Sequence, residues 1–238
     1  MLDAAEFVRN AELLCRAVAP RDLGDVPLYV VPESALGEFG SGSTNCYGYT
    51  TSSLDLYLRP LLGKRWQGRG PAMVINDALI AGDASDQQDL EIVLRSVVLH
   101  ELAHVLDRGE LYRDRPDLDA DVDKLAWEFA VVVNAVYEPP LAFTPTRVPY
   151  LGHELGFIRM ALHLGWRAEE LGFEVSGYLV HGTAQYGLSH HCRYEIALGD
   201  EPERLRDLPL REIARRPAPK RLYEVWMGDV SYFMKEIA

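Results

Sequence analysis

SDQQDLEIVLRSVVLHELAHVLDR, residues 85–108, is the stretch that decides the fold of this chain. Ser85, with Gln three positions later, forms the pattern of a helix-capping box, and the neighbouring aspartates suit the positive end of a helix dipole. Gly109 is a stop signal, so the pattern predicts one helix over residues 86–108. From Val97 to Leu106 this helix is apolar on almost every side except at two histidines and a glutamate. Such a pattern is typical of a helix buried in the centre of a domain.

The polar residues of this helix have the spacing of a metal site. His100, Glu101 and His104 form HELAH, in which two imidazoles four residues apart share a helix face and lie about 6 Å apart along the axis. Both can therefore reach one ion, while Glu101 is placed to accept a proton from a water on that ion. The alternative is a pair of core histidines satisfied by hydrogen bonds, but burying these groups without a partner is costly. The spacing predicts one zinc ion per chain.

The same residues carry a family resemblance. HELAH and the preceding LRSVVL resemble the zincin metallopeptidases, and the resemblance covers residues 72–108. It implies His100 and His104 as zinc ligands, Glu101 as the general base, and a peptide or protein as substrate. It also implies that the predicted strand at 72–76 is the edge strand along which zincins align a peptide.

The third ligand is open from sequence. Metzincins would continue with Gly at position 107 and His at 110, but this chain has Asp107 and Glu110. Asp107 lies about 10 Å along the axis from His100, too far for a short side chain, so we expect it to contact His104 or the helix end. Glu128, on a predicted helix over residues 119–137, has roughly the separation seen in gluzincins.

His153 is the favoured third ligand. The segment GHELGFIRMALHL, residues 152–164, resembles the HGxxF helix of SprT-like zincins, with Gly and His in reversed order and Phe one residue further along. On a predicted helix over residues 150–171, one stripe is formed by His153, Phe157, Met160, Ala161 and Leu164. The resemblance implies His153 as the ligand, with Glu128 as the alternative.

The remaining pattern predicts an α+β, zincin-like fold, in which a small mixed or antiparallel sheet packs on a helical body around a central active-site helix. An amphipathic helix is expected at residues 3–18, and strands at 27–32, 46–58 and 72–76. Residues 1–238 are expected to form a single domain, with 172–238 as a helical C-terminal extension.

The remaining histidines, tyrosines and cysteines also carry expectations. Loop positions are expected for His181, His190, His191 and Cys192, and a tyrosine that stabilises an oxyanion could be Tyr150, Tyr178 or Tyr186. The odd number of cysteines, Cys15, Cys46 and Cys192, at irregular spacing indicates thiols in a reducing compartment.

Composition limits the partners. The net charge of -12 and the pI near 5.0 argue against a nucleic-acid partner. The sequence contains no signal-peptide pattern and no long apolar stretch, so a cytoplasmic protein without a membrane partner is expected. A zinc-dependent peptidase is the function predicted. The alternatives are a zincin-like binding module with little or no activity and a structural protein without metal.

Overall fold

The structure, a computed structural model, describes residues 4–39, 46–50, 54–107, 155–181 and 188–237; for residue 4 and within 37–39, 188–192 and 230–237 it describes the backbone only. The helices are α1 (Ala4–Val18), α2 (Pro20–Leu23), α3 (Leu54–Leu62), α4 (Asp77–Asp83), α5 (Gln87–Asp107), α6 (Leu155–Glu170), α7 (Gly177–His181), α8 (Leu188–Leu198), α9 (Glu201–Arg204), α10 (Leu210–Arg215) and α11 (Lys220–Ile237). The strands are β1 (Tyr29–Pro32), β2 (Gly48–Tyr49) and β3 (Ala72–Ile75). Short 3-10 helices cover Glu33–Phe39 and Gly63–Arg65. The described chain is thus α+β and mostly helical.

The three strands form a small mixed sheet in the order β1-β3-β2. β1 is parallel to β3, and β2 is antiparallel to it, pairing Gly48 with Ile75 and Tyr49 with Val74. The predicted strands at 27–32 and 72–76 are confirmed as β1 and β3. The edge position predicted for residues 72–76 is wrong, because β3 is the middle strand and all four of its residues are buried. Within the described residues β2 lies at the edge instead.

The strand predicted over residues 46–58 is wrong for most of its length. Strand pairing there is limited to β2, and α3 begins at Leu54. Leu54, Leu58 and Leu62 follow one another at four-residue spacing, and all three are buried in a cluster on the outer face of the sheet. The segment forms a helix and not the strand that its tyrosine- and threonine-rich composition favours, because a helix places these leucines on one continuous apolar face that can be buried.

Helix α5 begins as the sequence indicates, but through a different cap. Asp86 accepts a hydrogen bond from the backbone N–H of Asp89 at 2.8 Å, and the Asp89 carboxylate accepts one from the backbone N–H of Ser85 at 2.8 Å. The capping residue is therefore Asp86, and the box predicted between Ser85 and Gln88 is wrong by one position. Two carboxylates at the positive end of the helix dipole explain the preference.

Helix α5 runs through the centre of the fold, as predicted. It packs against α1, α4, α6, α7, β2 and β3, and its side chains from Leu94 to Val105 are mostly buried. One core cluster joins residues of α1, β1, β3, α5 and α6 with residues of α8, α10 and α11. The buried side chains of α5 between Leu94 and Val105 are consequently fixed in position by neighbours on several sides.

A buried ionic cluster attaches the C-terminal helices to α6. Arg159 donates hydrogen bonds to both carboxylate oxygens of Glu201 at 2.8 and 3.1 Å, and the Nε2 of His163 lies 3.0 Å from Glu201 Oε1. Burial lowers the pKa of His163, so a neutral ring donates to the carboxylate.

Within the described residues, no helix combines the length and the apolar composition that a membrane span requires.

Candidate metal centre

The two histidines of HELAH lie side by side on α5. Their ring centroids are 4.9 Å apart with an interplanar angle of 76°. Two imidazoles whose nitrogens lie 2.0–2.1 Å from one tetrahedral ion have centroids roughly 5 Å apart. Phe157, fully buried on α6, packs against both rings, with its centroid 4.9 Å from that of His100 and 4.2 Å from that of His104. The pair therefore has a separation that fits a shared ion and an apolar wall that limits rotation of both rings.

A backbone carbonyl fixes the orientation of His100. Its Nδ1 lies 3.2 Å from the carbonyl oxygen of Val180 on α7. Since a carbonyl oxygen only accepts, this hydrogen bond requires the proton on Nδ1. Nε2 is then the nitrogen suited to bind a metal, in the arrangement that metal-ligating histidines adopt.

Glu101 is buried against the edge strand. Its side chain is 4% exposed, and it approaches Gly48 of β2 so closely that a Cβ added at Gly48 would lie 3.0 Å from its Cγ and 3.1 Å from its Oε1. Glycine at position 48 thus leaves room for the carboxylate under the strand. The arrangement brings the predicted base beside an extended backbone segment.

The strand that covers Glu101 is anchored at Tyr47, the residue before Gly48, through both its side chain and its backbone. The Tyr47 hydroxyl donates a hydrogen bond to Asp83 at 2.7 Å, and the Tyr47 carbonyl accepts one from the backbone N–H of Asn76 at 2.7 Å. The hydrogen bond to Asp83, together with burial, raises the pKa of Tyr47, so the phenol stays protonated and keeps donating. β2 is consequently held at a fixed height above Glu101.

For the zinc peptidase that the sequence predicts, we expect Gly48→Ala to lower the rate of peptide hydrolysis about tenfold without loss of metal, because the new methyl group displaces the Glu101 carboxylate by a few tenths of an ångström. The measurements are kcat on a peptide substrate and metal content. Gly82→Ala in α4 is the matched control, since an added Cβ there meets nothing within 4 Å. Unchanged kcat in Gly48→Ala would contradict a role for this close contact.

Asp107, which the sequence excludes as a ligand, is described, whereas the two candidates for the third ligand are not. Asp107 ends α5 and lies against the start of α6, where a Cβ added at Gly156 would be 2.8 Å from its Oδ1. It is thus in contact at the helix end, as expected. His153 and Glu128 lie outside the described residues. Among the described side chains, no group of three or more His, Cys, Asp or Glu residues is arranged to hold a metal.

Three groups lie near HELAH in the structure although nothing in the sequence predicts that they do. They are the Val180 carbonyl, the glycine at position 48, and His181. The loop position predicted for His181 is wrong: it ends α7, and its side chain is 2% exposed. His190, His191 and Cys192 belong to α8 by their backbone, so the predicted loop is wrong for them as well. Of the three tyrosines, Tyr178 lies on α7, and Tyr150 and Tyr186 lie outside the described residues.

Comparison of the chain with protein-family models, with curated proteins and with solved structures finds no match. The case for function therefore rests on the residues and their geometry. The three HELAH side chains, the Val180 carbonyl and the glycine of β2 together form the candidate metal centre.

Proposed function

We propose that this protein is a zinc-dependent peptidase with a zincin-like site, in which His100 and His104 bind one zinc ion and Glu101 is the general base. The observation that carries the proposal is the position of Glu101. It follows the first histidine of a closely spaced pair, and it is buried beneath an edge strand. A general base for a metal-bound water needs such a position, next in sequence to a metal ligand and beside the backbone on which a peptide can lie.

The edge strand favours a peptide as substrate. In the described part of the chain β2 pairs with β3 and lies at an edge of the sheet. An extended peptide can add to such an edge by backbone hydrogen bonds. A scissile bond held there would lie close to Glu101, because Gly48 allows the carboxylate to approach the strand.

The chain's own groups account for the proton transfers of amide hydrolysis. Zinc, when bound, supplies a Lewis acid that polarises the scissile carbonyl and lowers the pKa of water towards neutrality. The Glu101 carboxylate accepts the proton from the attacking water and delivers it to the leaving amine nitrogen. Val180, through its carbonyl, keeps the Nε2 of His100 available as a ligand.

His153 is our choice for the third ligand, because the chain enters α6 beside the histidine pair. Phe157 touches both imidazoles, and Gly156 lies against Asp107. His153 precedes Leu155, the first residue of α6, by only two positions in the sequence. Glu128 has no such short connection to a described residue of the site.

Metal analysis and a chelator experiment test the proposal. We expect purified protein to contain close to one zinc per chain and to hydrolyse unfolded casein at neutral pH. A chelator should abolish that activity, and added zinc should restore it. A well-folded sample without any transition metal would refute the proposal. Zinc without hydrolysis of any peptide would instead favour a binding module.

A further inference from the structure

The carbonyl that orients His100 belongs to a very short helix. α7 has five residues, and Val180 is the penultimate one, so its carbonyl is among those that no later residue of the helix satisfies. A helix of this length has no stability of its own in water. The position of the Val180 carbonyl is therefore set by whatever holds α7 against its neighbours.

The beginning of α7 is held by α5 itself. The backbone N–H of Ser176 donates to Ser96 Oγ at 2.8 Å, and Ser96 is fully buried and donates in turn to the Ile92 carbonyl at 2.6 Å. Ser96 lies one helical turn before His100. The same face of α5 thus contacts α7 twice, once at its start and once through His100.

The end of α7 is held by α8. His181 directly follows Val180 and is 2% exposed, and its Nε2 lies 3.1 Å from Oε1 of Glu195. Glu195 is half exposed, at 50%. A buried imidazole joined to a partly solvated carboxylate gives a directional contact next to the carbonyl that His100 uses.

We infer that the hydrogen bond between His181 and Glu195 holds the Val180 carbonyl in the position where it accepts a hydrogen bond from His100, and that it thereby sets the affinity of the site for zinc. We call this hydrogen bond the latch. The inference rests on the metal role proposed for His100. Glu195 fixes the side chain of His181, and His181 in turn fixes the adjacent backbone of Val180. The Val180 carbonyl then orients the imidazole of His100 by accepting a hydrogen bond from its Nδ1–H. Groups that orient a metal ligand in this way typically change metal affinity about 10–100-fold.

Gly177, the first residue of α7, leaves the room that the latch needs. A Cβ there would lie 2.5 Å from Glu195 Oε1 and 3.2 Å from His181 Nε2. The carboxylate is the end of a flexible side chain and can move away at little cost. Alanine at 177 is therefore expected to break the latch.

Removal of the carboxylate tests the latch directly. We expect Glu195→Ala to weaken zinc binding about tenfold or more in a competition with a chromophoric chelator, and Glu195→Gln to retain affinity, because its amide oxygen still accepts from His181. Glu170→Ala is the matched control: Glu170 is 54% exposed and pairs with Arg206. It should leave zinc affinity unchanged. Equal affinity in wild type and Glu195→Ala would overturn the inference.

The glycine supplies an independent variant. Gly177→Ala should weaken zinc binding to the same extent as Glu195→Ala, and the double variant should be no weaker than either single one, since both break one contact. Gly228→Ala in α11, where an added Cβ meets nothing within 4 Å, is the control. Additive losses in the double variant would contradict a shared mechanism.

A measurement without metal separates this inference from the proposed function. Nitrogen-15 NMR of the apo-protein reports which ring nitrogen of His100 carries the proton. We expect the Nδ1–H tautomer in wild type and a mixture of tautomers in Glu195→Ala. If wild type binds no zinc but shows this change, the latch orients His100 as inferred, whereas its effect on zinc affinity and the peptidase proposal both fail. If zinc binds and Glu195→Ala changes neither affinity nor tautomer, the latch fails and the proposal stands.

Discussion

Glu101→Gln is expected to reduce kcat by about 10²–10⁴-fold while the zinc content and the fold stay as in wild type. The amide has nearly the shape of the carboxylate, so the close contact with Gly48 is preserved. It has no basic oxygen of comparable strength, so the attacking water keeps its proton. The measurements are kcat on a peptide substrate, zinc content, and the urea midpoint of unfolding.

The control for this variant lies on the same helix. Glu91 is on α5, half exposed, and pairs with Arg95 at 2.6 Å, so Glu91→Gln changes one surface ion pair and leaves the site intact. Such a pair contributes well under about 1 kcal/mol to stability. Full activity in Glu101→Gln would remove Glu101 from the mechanism, and loss of zinc together with activity would make it a ligand.

The sequence was most informative where one signal was repeated at several levels. The sequence of α5 combines a cap, a stop, a continuous apolar surface and the HELAH spacing. It predicts both ends of the helix to within one residue, and it also predicts that the helix is central in the fold. β1 and β3 are short apolar runs bounded by turn residues, and both were predicted. Where composition and periodicity disagreed, as at residues 54–58, the prediction followed composition, and the burial of Leu54 and Leu58 on a helix shows that periodicity should have prevailed.

The rest of the site depends on contacts between distant parts of the chain. Gly48 is 53 positions before Glu101, and Val180 is 80 positions after His100. A glycine in a tyrosine-rich segment looks like a turn residue, and a valine carbonyl has no side-chain signature at all. The Gly- and Tyr-rich sequence around His181 predicts a loop, whereas tertiary packing encloses its side chain almost completely. Only a folded backbone reveals which of these groups meet.

The identity of the third ligand distinguishes two classes of zincin, and its substitution is expected to cause a large loss of zinc affinity. We expect His153→Ala to weaken zinc binding on the order of 10³-fold, more than the loss of an orienting partner causes. A catalytic zinc takes three protein ligands, and α5 supplies two. Phe157, which packs against both α5 histidines, follows His153 by four residues in the sequence, and this favours His153 as the third ligand.

Glu128→Ala is the opposing variant and should leave the zinc in place. Its carboxylate neighbours Trp127 and Phe129 in sequence, so burial on an apolar helix or exposure at its edge are both compatible with the pattern. Titration of both variants against a competing chelator decides between them, with His104→Ala as the reference for complete loss. Cobalt substitution adds a second measurement, because the visible spectrum of a tetrahedral Co²⁺ site changes with a nitrogen-for-oxygen exchange of ligands. If Glu128→Ala loses zinc and His153→Ala retains it, the site is gluzincin-like and the assignment of His153 is wrong.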